Sequence, residues 1–199
     1  MSGICGILLE KNFFEVGLCS RIQDEMRSAP SKLAKIHKVN GNYNYLVDET
    51  LRRTQSAQVL EETKSMVFSR LYTIKPRLES HFRLALTECD QLHFLLYKQG
   101  DFFLPHKDST SEKNMPDLIK KRKVSVVIFL NTQKEASEQN AYSGGALTFY
   151  ELIQDPRAAK YCFPLSGETG MLVAFSSDII HEVQPITWGE RYTIVTWFL

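Results

Sequence analysis

Two histidines and one aspartate occupy positions from which they can bind a single metal ion. His106 and Asp108 are separated by one residue, and on an extended segment such side chains point to the same face. His181 lies far along the chain, directly after the apolar pair Ile179-Ile180. Two imidazoles and one carboxylate on one face of an octahedron leave three positions open, which is the arrangement that Fe(II) takes in oxygenases. The His-x-Asp pair has little specificity alone, so its weight depends on its surroundings.

Arg191 follows His181 by ten residues. The intervening segment predicts a strand, a tight turn at Trp188-Gly189 and a returning strand, which would bring the arginine back beside the histidine and facing the same interior. A guanidinium in that place can hold the far end of a dicarboxylate through two parallel hydrogen bonds. Taken singly, Arg191 would be read as a solvated strand residue. Together with His181 it predicts an anion site beside the metal.

The first 90 or so residues show mainly helical spacing. Apolar residues recur every four positions over residues 14–26, with Asn12 as a candidate N-cap. A second helical tract covers residues 56–86, where Pro76 should kink or divide the helix. We therefore expect a helical support layer over about residues 1–90.

From about residue 91 to residue 199 the pattern changes to short apolar strands separated by turns. With few helix-length segments between them, such strands predict an antiparallel sandwich or barrel. Helices followed by strands indicate an α+β fold, in which the helices pack against the outside of one sheet. A chain of 199 residues fits a single domain better than two.

Composition excludes several classes of partner. Formal net charge is +1, from 24 basic and 23 acidic residues, so no nucleic acid and no anionic membrane is expected. No stretch approaches the ~20 apolar residues of a membrane span. The four cysteines are scattered without a CxxC pair, which predicts reduced thiols and, with no leader pattern, a cytoplasmic location. The sequence does not indicate the oligomeric state.

From about Leu92 to Leu199 the sequence resembles the prolyl-4-hydroxylase-like branch of the 2-oxoglutarate/Fe(II)-dependent dioxygenases. The matching elements, in order, are Tyr97…Gly100…His106-x-Asp108, Val126–Asn131, Gly144-Gly145-x-Leu147-x-Phe149, Gly170–Phe175 leading to His181, and Arg191 through Trp197. Five elements in the right order are far more specific than any one of them.

The resemblance implies a double-stranded β-helix, a jelly-roll of the cupin-like kind, with N-terminal supporting helices. It implies iron held by His106, Asp108 and His181, and the 5-carboxylate of 2-oxoglutarate paired with Arg191. It also places Tyr97 near the cosubstrate, where its hydroxyl can donate a hydrogen bond. A half-buried sheet aromatic is the alternative for Tyr97.

The activity that the resemblance implies is hydroxylation of an unactivated C–H bond, with 2-oxoglutarate and O₂ converted to succinate and CO₂. Ascorbate is a candidate supporting reductant. The substrate is expected to be a prolyl residue in a peptide or protein, or alternatively a free amino acid or other small metabolite. A non-catalytic β-helix binding module and a cupin-like enzyme using another metal are the remaining alternatives.

One position departs from the family pattern. Several relatives carry a tyrosine that helps bind the 5-carboxylate at the end of the strand before Asn131, and this chain has Phe129 there. Either another hydroxyl substitutes, with Thr193 and Thr196 as candidates, or Arg191 holds the carboxylate mainly alone.

Two further segments are candidates for contact with substrate. Ser109–Lys123 follows the His-x-Asp pair and is long enough to act as a flap, whereas its basic end, Lys120–Lys123, is better explained as a solvated charge run. Of the pair Arg52-Arg53, Arg53 is the better candidate to point into a substrate groove.

Overall fold

The computed structural model describes residues 6–40, 42–136, 138–152 and 161–199. Its helices are α1 Val16–Ser28, α2 Glu61–Phe82 and α3 Asp117–Lys121. Its strands are β1 Ile7–Glu10, β2 Ser31–Leu33, β3 Ile36–Asn40, β4 Asn42–Leu46, β5 Arg52–Arg53, β6 Gln55–Ala57, β7 His93–Tyr97, β8 Phe102–His106, β9 Val124–Phe129, β10 Tyr142–Gly144, β11 Leu147–Tyr150, β12 Cys162–Leu165, β13 Leu172–Ser176, β14 His181–Val183, β15 Ile186–Gly189 and β16 Arg191–Phe198.

Two antiparallel sheets face each other. The larger has seven strands in the order β1-β13-β9-β16-β7-β6-β2, and the smaller has five in the order β12-β11-β14-β8-β5. Two further strand pairs, β10-β15 and β3-β4, lie beside them. This is a double-stranded β-helix, and it confirms the fold that the resemblance implied.

Strand β16 shows why the larger sheet is buried on both faces. Successive side chains of a strand point to opposite sides. Tyr192, Ile194 and Phe198 pack with the helices on the outer side. Arg191 and Trp197 face the space between the sheets, where they line a cavity. One strand therefore anchors the helical layer and supplies the site.

The helices cover the outer face of the larger sheet as expected. Their buried residues are Cys19, Ile22, Gln23 and Met26 in α1 and Thr63, Val67, Leu71, Ile74 and Leu78 in α2. The expected N-cap at Asn12 is wrong, because α1 begins later and its N-cap is Glu15, while Asn12 has a φ of 56°. Pro76 does not divide α2, since buried apolar residues on both sides of it hold the helix against the sheet. No helix in the described part of the chain is both long and apolar enough to cross a membrane.

The first half of the chain contributes strands to both sheets in addition to the expected helical support layer. Strand β1 pairs with β13, and β6 pairs with β7 and extends the larger sheet to β2. Strand β5 pairs with β8 at the edge of the smaller sheet. These strands have two to four residues, too few to show the alternation by which a sequence reveals a strand.

The cysteines are free thiols wherever the structure describes them, namely Cys19, Cys89 and Cys162, while Cys5 lies outside the described residues. Burial raises the pKa of Cys19 and of Cys89 to about 11. These two thiols therefore stay protonated at neutral pH and behave as packing residues.

Candidate metal centre

Strand pairing brings His106, Asp108 and His181 together. His106 ends β8 and lies directly opposite His181, the first residue of β14, so the two imidazole centroids are 4.3 Å apart. Asp108 follows the end of β8, where its backbone N–H donates to the carbonyl of Ser177 at 3.0 Å. The three side chains each offer a ligand atom, and these atoms lie within 4.8 Å of one another.

Backbone carbonyls fix the orientation of both imidazoles. His106 Nδ1 lies 2.8 Å from the Leu104 carbonyl oxygen, and His181 Nδ1 lies 2.9 Å from that of Ile179. A carbonyl only accepts, so each Nδ1 carries a proton, and Nε2 is the nitrogen that has the lone pair in the neutral ring. The Nε2 atoms face the carboxylate of Asp108, at 3.6 Å for His106 and 3.4 Å for His181.

The carboxylate is fixed from its other side. Ser125 donates to Asp108 Oδ2 at 2.7 Å, and Ser125 and Ser177 hydroxyls are 2.9 Å apart. Burial by itself would raise the pKa of Asp108, but the attraction of His181 and His106 and the hydrogen bond from Ser125 lower it overall. Burial lowers the pKa of His181 to about 4, against the opposing pull of Asp108. At neutral pH the site thus holds one anionic carboxylate and at least one neutral imidazole.

This donor set fits a divalent transition metal. Neutral imidazole nitrogens and one ionised carboxylate oxygen are the donors of the facial triad that binds Fe(II). The hydrogen bonds behind each donor are those that orient ligands around a metal. The three residues also line a cavity of about 450 Å³, so the side opposite the protein donors is open to small molecules.

Arg191 forms part of the floor of the same cavity, and its charge has no acidic partner among the described residues. It is 1% exposed. Its guanidinium carbon lies 5.1 Å from the ring centre of Tyr97 and 5.0 Å from that of Phe129. Nη1 donates a long 3.4 Å hydrogen bond to Thr193, while Nε has no partner among the described residues. A buried cation of this kind is costly unless an anion joins it.

The predicted hairpin between His181 and Arg191 is wrong. His181 begins β14 in the smaller sheet, and Arg191 begins β16 in the larger one. Between them, β15 pairs with β10 and carries the chain from one sheet to the other. The two residues therefore face the cavity from opposite walls. Both side chains face the same interior, as predicted, but because the two sheets oppose each other and not because of a hairpin.

Of the two threonines expected as substitutes for the missing tyrosine, only Thr193 lies near Arg191. Tyr97 pairs with Arg191 across β7 and β16, is 2% exposed and lines the cavity. Thr193 contacts the guanidinium, but Thr196 lies on the opposite face of β16, where its hydroxyl donates to the Asp90 carbonyl at 2.8 Å. Thr196 is therefore no substitute for the missing tyrosine.

A residue that the sequence did not single out is Tyr142. It is fully buried, and its hydroxyl proton has no hydrogen-bond acceptor among the described residues. It lies just before Gly144-Gly145 in a stretch that otherwise reads as a polar connection. No local pattern marks it, because its approach to Arg191 depends on the pairing of β10 with β15.

Ser109–Lys123 forms one wall of the cavity through Ser109, Thr110, Glu112, Met115, Ile119 and Arg122. Ile119 in α3 is buried, at 5% exposure. Arg122 corrects the expectation of a solvated basic run, since it pairs with the buried Asp90 at 2.9 Å and lies 3.5 Å from the ring centre of Trp197. The segment covers the cavity, whereas its movement as a flap stays a prediction.

The order expected for Arg52 and Arg53 is reversed. Arg52 lines the cavity, with its guanidinium 4.7 Å from the ring centre of Phe103. Arg53 points away and pairs with Asp101 at 3.1 Å. Neighbours in a strand face opposite sides, so only one of the two can reach the cavity.

Comparison with known proteins agrees with this geometry. Residues 92–199, just over half of the chain, match the family model described as the 2OG-Fe(II) oxygenase superfamily. A PKHD-type hydroxylase of Shewanella oneidensis is 32% identical over 104 residues, which are 52% of this chain and 40% of that protein. The chain thus spans less than half the length of that curated relative.

Solved structures share the fold. A prolyl-4-hydroxylase of Pseudomonas putida aligns with a TM-score of 0.68 over 97% of this chain and 91% of its own, at 22% identity. A prolyl hydroxylase of Trichoplax adhaerens, in complex with a peptide fragment of the hypoxia inducible factor oxygen degradation domain, aligns with a TM-score of 0.70 over 98% of this chain and 84% of its own, at 16% identity. With the family match over the strands that carry the three convergent donors, the chain belongs to the 2OG-Fe(II) oxygenase superfamily.

Proposed function

We propose that the protein is an Fe(II)- and 2-oxoglutarate-dependent hydroxylase, with His106, Asp108 and His181 as metal ligands and Arg191 as the anchor of the far carboxylate. The observation that carries the proposal is the pairing of two features in one cavity. Three convergent donors form an open metal site, and a buried arginine without an acidic partner among the described residues lies on the cavity floor. A dicarboxylate that reaches the metal with its other end satisfies both.

In this proposal each side chain has a positioning task. The hydrogen bonds of His106 and His181 to backbone carbonyls fix both rings with Nε2 toward Asp108, where the three side chains would hold the metal. Ser125 donates to Oδ2 of Asp108 and holds the carboxylate in place beside both Nε2 atoms, where it would be the third metal ligand. Arg191 holds the cosubstrate's far end and thereby orients the 2-oxo acid group at the other end.

Bound Fe(II) and 2-oxoglutarate supply the oxidising chemistry, in which the cosubstrate and O₂ become succinate and CO₂ while a substrate C–H becomes C–OH. The chain contributes a protected space for it. Val127, Leu147, Val183 and Val195 line the cavity and keep water from much of its wall. The family supports iron and 2-oxoglutarate as the required groups. Ascorbate is proposed only as a reductant that sustains turnover.

A peptidyl substrate, with proline as the first residue to test, is supported by the surface beside the cavity. The β3–β4 hairpin supplies His37 and Tyr45 to the cavity lining, and their rings stack with centroids 4.6 Å apart. Tyr43 and Tyr45 are 38% and 46% exposed. Exposed aromatic rings at a cavity edge are well suited to contact residues on either side of a reacting one. The solved relative with a bound peptide fragment has the same fold.

The metal and cosubstrate sites are tested first by spectroscopy under anaerobic conditions. Fe(II) plus 2-oxoglutarate should give a metal-to-ligand charge-transfer band with the wild-type protein, and His181→Ala should abolish it. The matched control is His81→Ala, an exposed histidine of α2 outside the cavity, which should keep the band. A wild-type protein without the band, or a His181→Ala protein with it, would refute the proposal.

The substrate class is tested with two pools, one of proline-containing peptides and one of free amino acids and metabolites. Mass spectrometry should detect a product with one added oxygen atom in the peptide pool, with succinate formed in equal amount. A product found only in the second pool would refute the peptidyl assignment and leave the hydroxylase assignment intact. Omission of ascorbate should lower the number of turnovers without removing the first.

A further inference from the structure

The buried hydroxyl of Tyr142 is not explained by packing. The side chain is fully buried, and the hydroxyl proton has no hydrogen-bond acceptor among the described residues. Burying a hydroxyl without a partner is unfavourable, whereas phenylalanine would fill the same space without that cost. Packing alone therefore explains the ring and not the oxygen.

Tyr142 lies against Arg191 beneath the cavity. A Cβ built on Gly145 would lie 3.2 Å from Arg191 Cδ and 3.3 Å from Tyr142 Cε2, so the two side chains meet at this glycine. A Cβ built on Gly167 would lie 2.4 Å from the Tyr142 hydroxyl oxygen and 2.3 Å from Phe129 Cδ1. The absence of side chains at both glycines thus makes room for the phenol beside the position where the family's tyrosine is missing.

The polar groups at this point are donors that lack an acceptor. Arg191 Nε and the Tyr142 hydroxyl are both buried without a hydrogen-bond acceptor among the described residues. Burial raises the pKa of Tyr142, while the charge of Arg191 and polar contacts of the phenol oxygen with the Arg191 guanidinium and the Gly167 backbone N–H oppose that rise. Both of these neighbours are donors, so neither accepts the proton of the phenol. The phenol is therefore neutral at neutral pH, and its proton is available for donation. A ligand group with several acceptors and no donor, namely a carboxylate, completes such a cluster.

We infer that Tyr142 is a binding residue for the far carboxylate of the cosubstrate, donating its hydroxyl proton to the carboxylate that Arg191 holds. The inference rests on the proposed function and adds a residue to it. Tyr142 on β10 would then supply the hydroxyl that relatives carry on the strand equivalent to β9, where this chain has Phe129.

The test measures binding, not turnover, with Fe(II) protein under anaerobic conditions. Tyr142→Phe removes one oxygen atom and keeps the ring. Its Kd for 2-oxoglutarate should rise by about 10- to 100-fold, as expected for a hydrogen bond to a charged group. The Kd for 2-oxopentanoate, which has a methyl group where 2-oxoglutarate has its far carboxylate, should not change.

Tyr192→Phe is the matched control. Tyr192 neighbours Arg191 in β16 and is 1% exposed, but it lies on the outer face, where its hydroxyl pairs with Glu190. This variant should bind both probes as the wild type does. A thermal melt of each variant verifies the fold, and Tyr142→Phe should melt no lower than the wild type because its hydroxyl proton has no acceptor to lose among the described residues.

The outcomes separate this inference from the proposed function. If the wild type binds 2-oxoglutarate and Tyr142→Phe binds it equally well, the inference is overturned and the proposed function stands. Equal weakening of both probes would also overturn it, since that result indicates distortion of the whole site. If the wild type binds no 2-oxoglutarate, the proposed function itself fails.

Discussion

Replacing Arg191 by methionine separates the anchor role from a structural one. The substitution removes the charge and the hydrogen-bond donors and keeps a flexible apolar chain of similar length. In the protein without ligand, the guanidinium is 1% exposed and pairs with no acid among the described residues. If Arg191 is the anchor, the substitution leaves the ligand's far carboxylate without its cation.

The size of the effect follows from that burial. Removing one member of a buried, hydrogen-bonded charge pair costs about 2–5 kcal/mol of binding free energy. Taking roughly 3 kcal/mol, the Kd for 2-oxoglutarate rises by about 100-fold, since each 1.4 kcal/mol is a factor of ten. Without ligand the variant should be nearly as stable as the wild type. The loss of the contacts with the Tyr97 and Phe129 rings is offset by relief from burying an unpaired charge.

Thermal unfolding with and without 2-oxoglutarate measures both quantities. At a concentration 100 times the wild-type Kd, the ligand stabilises the wild type by about 2.7 kcal/mol, which raises Tm by roughly 5–10 °C for a chain of this size. The same concentration raises the Tm of Arg191→Met by only about 1 °C. Equal ligand-induced shifts would refute the anchor role. A variant several kcal/mol less stable without ligand would show instead that the guanidinium supports the fold.

Three other substitutions test the surroundings of the site. Ser125→Ala removes the 2.7 Å hydrogen bond to the carboxylate of the metal centre, and metal titration should show an affinity lower by about 10- to 100-fold. Burial lowers the pKa of His93 from 6.5 to about 4, so on acidification the unfolded chain binds this proton before the folded protein does. Between pH 7 and pH 4 the free energy of unfolding of the wild type should therefore fall by on the order of 3 kcal/mol more than that of His93→Gln, as measured by urea titrations. Equal losses in the two proteins would show that His93 does not contribute to the pH dependence of stability. Gly167→Ala forces a Cβ to within 2.3 Å of the Phe129 ring and should cost about 1–3 kcal/mol in thermal melts, whereas the control Gly17→Ala meets open space and should be neutral or stabilising by up to about 1 kcal/mol.

The metal centre was predictable from sequence because its geometry is mostly local. His106 and Asp108 are two residues apart, and His181 needs only to pair with the strand that carries them. The family and the fold were predictable because several ordered elements occur together over residues 92–199, and both predictions are confirmed. The individual ligand roles stay predictions, for which the convergence of the donors is the support.

The rest of the site depends on contacts between distant segments. The side of the cavity occupied by Arg191 follows from the passage of the chain through β15 into the other sheet, and spacing alone suggested a hairpin. Arg122 looked solvated in a run of charges because its partner, Asp90, is 32 residues away. The position of Tyr142 was likewise not predictable from nearby residues, since its neighbours Phe129 and Arg191 come from other strands.

Charge balance gives a reason for the choice of a dicarboxylate over a simpler 2-oxo acid. With neutral imidazoles, the charges at the centre are −1 from Asp108, +1 from Arg191 and +2 from a divalent metal, which sum to +2. A dicarboxylate of charge −2 brings this total to zero, whereas a monocarboxylate leaves +1 in the cavity. Because an uncompensated buried charge is penalised by several kcal/mol, the balance disfavours the smaller acid even where its 2-oxo group reaches the metal equally well. In the proposed site, the separation of Arg191 and the metal donors onto opposite walls would act as a second filter, because a ligand must be long enough to reach both.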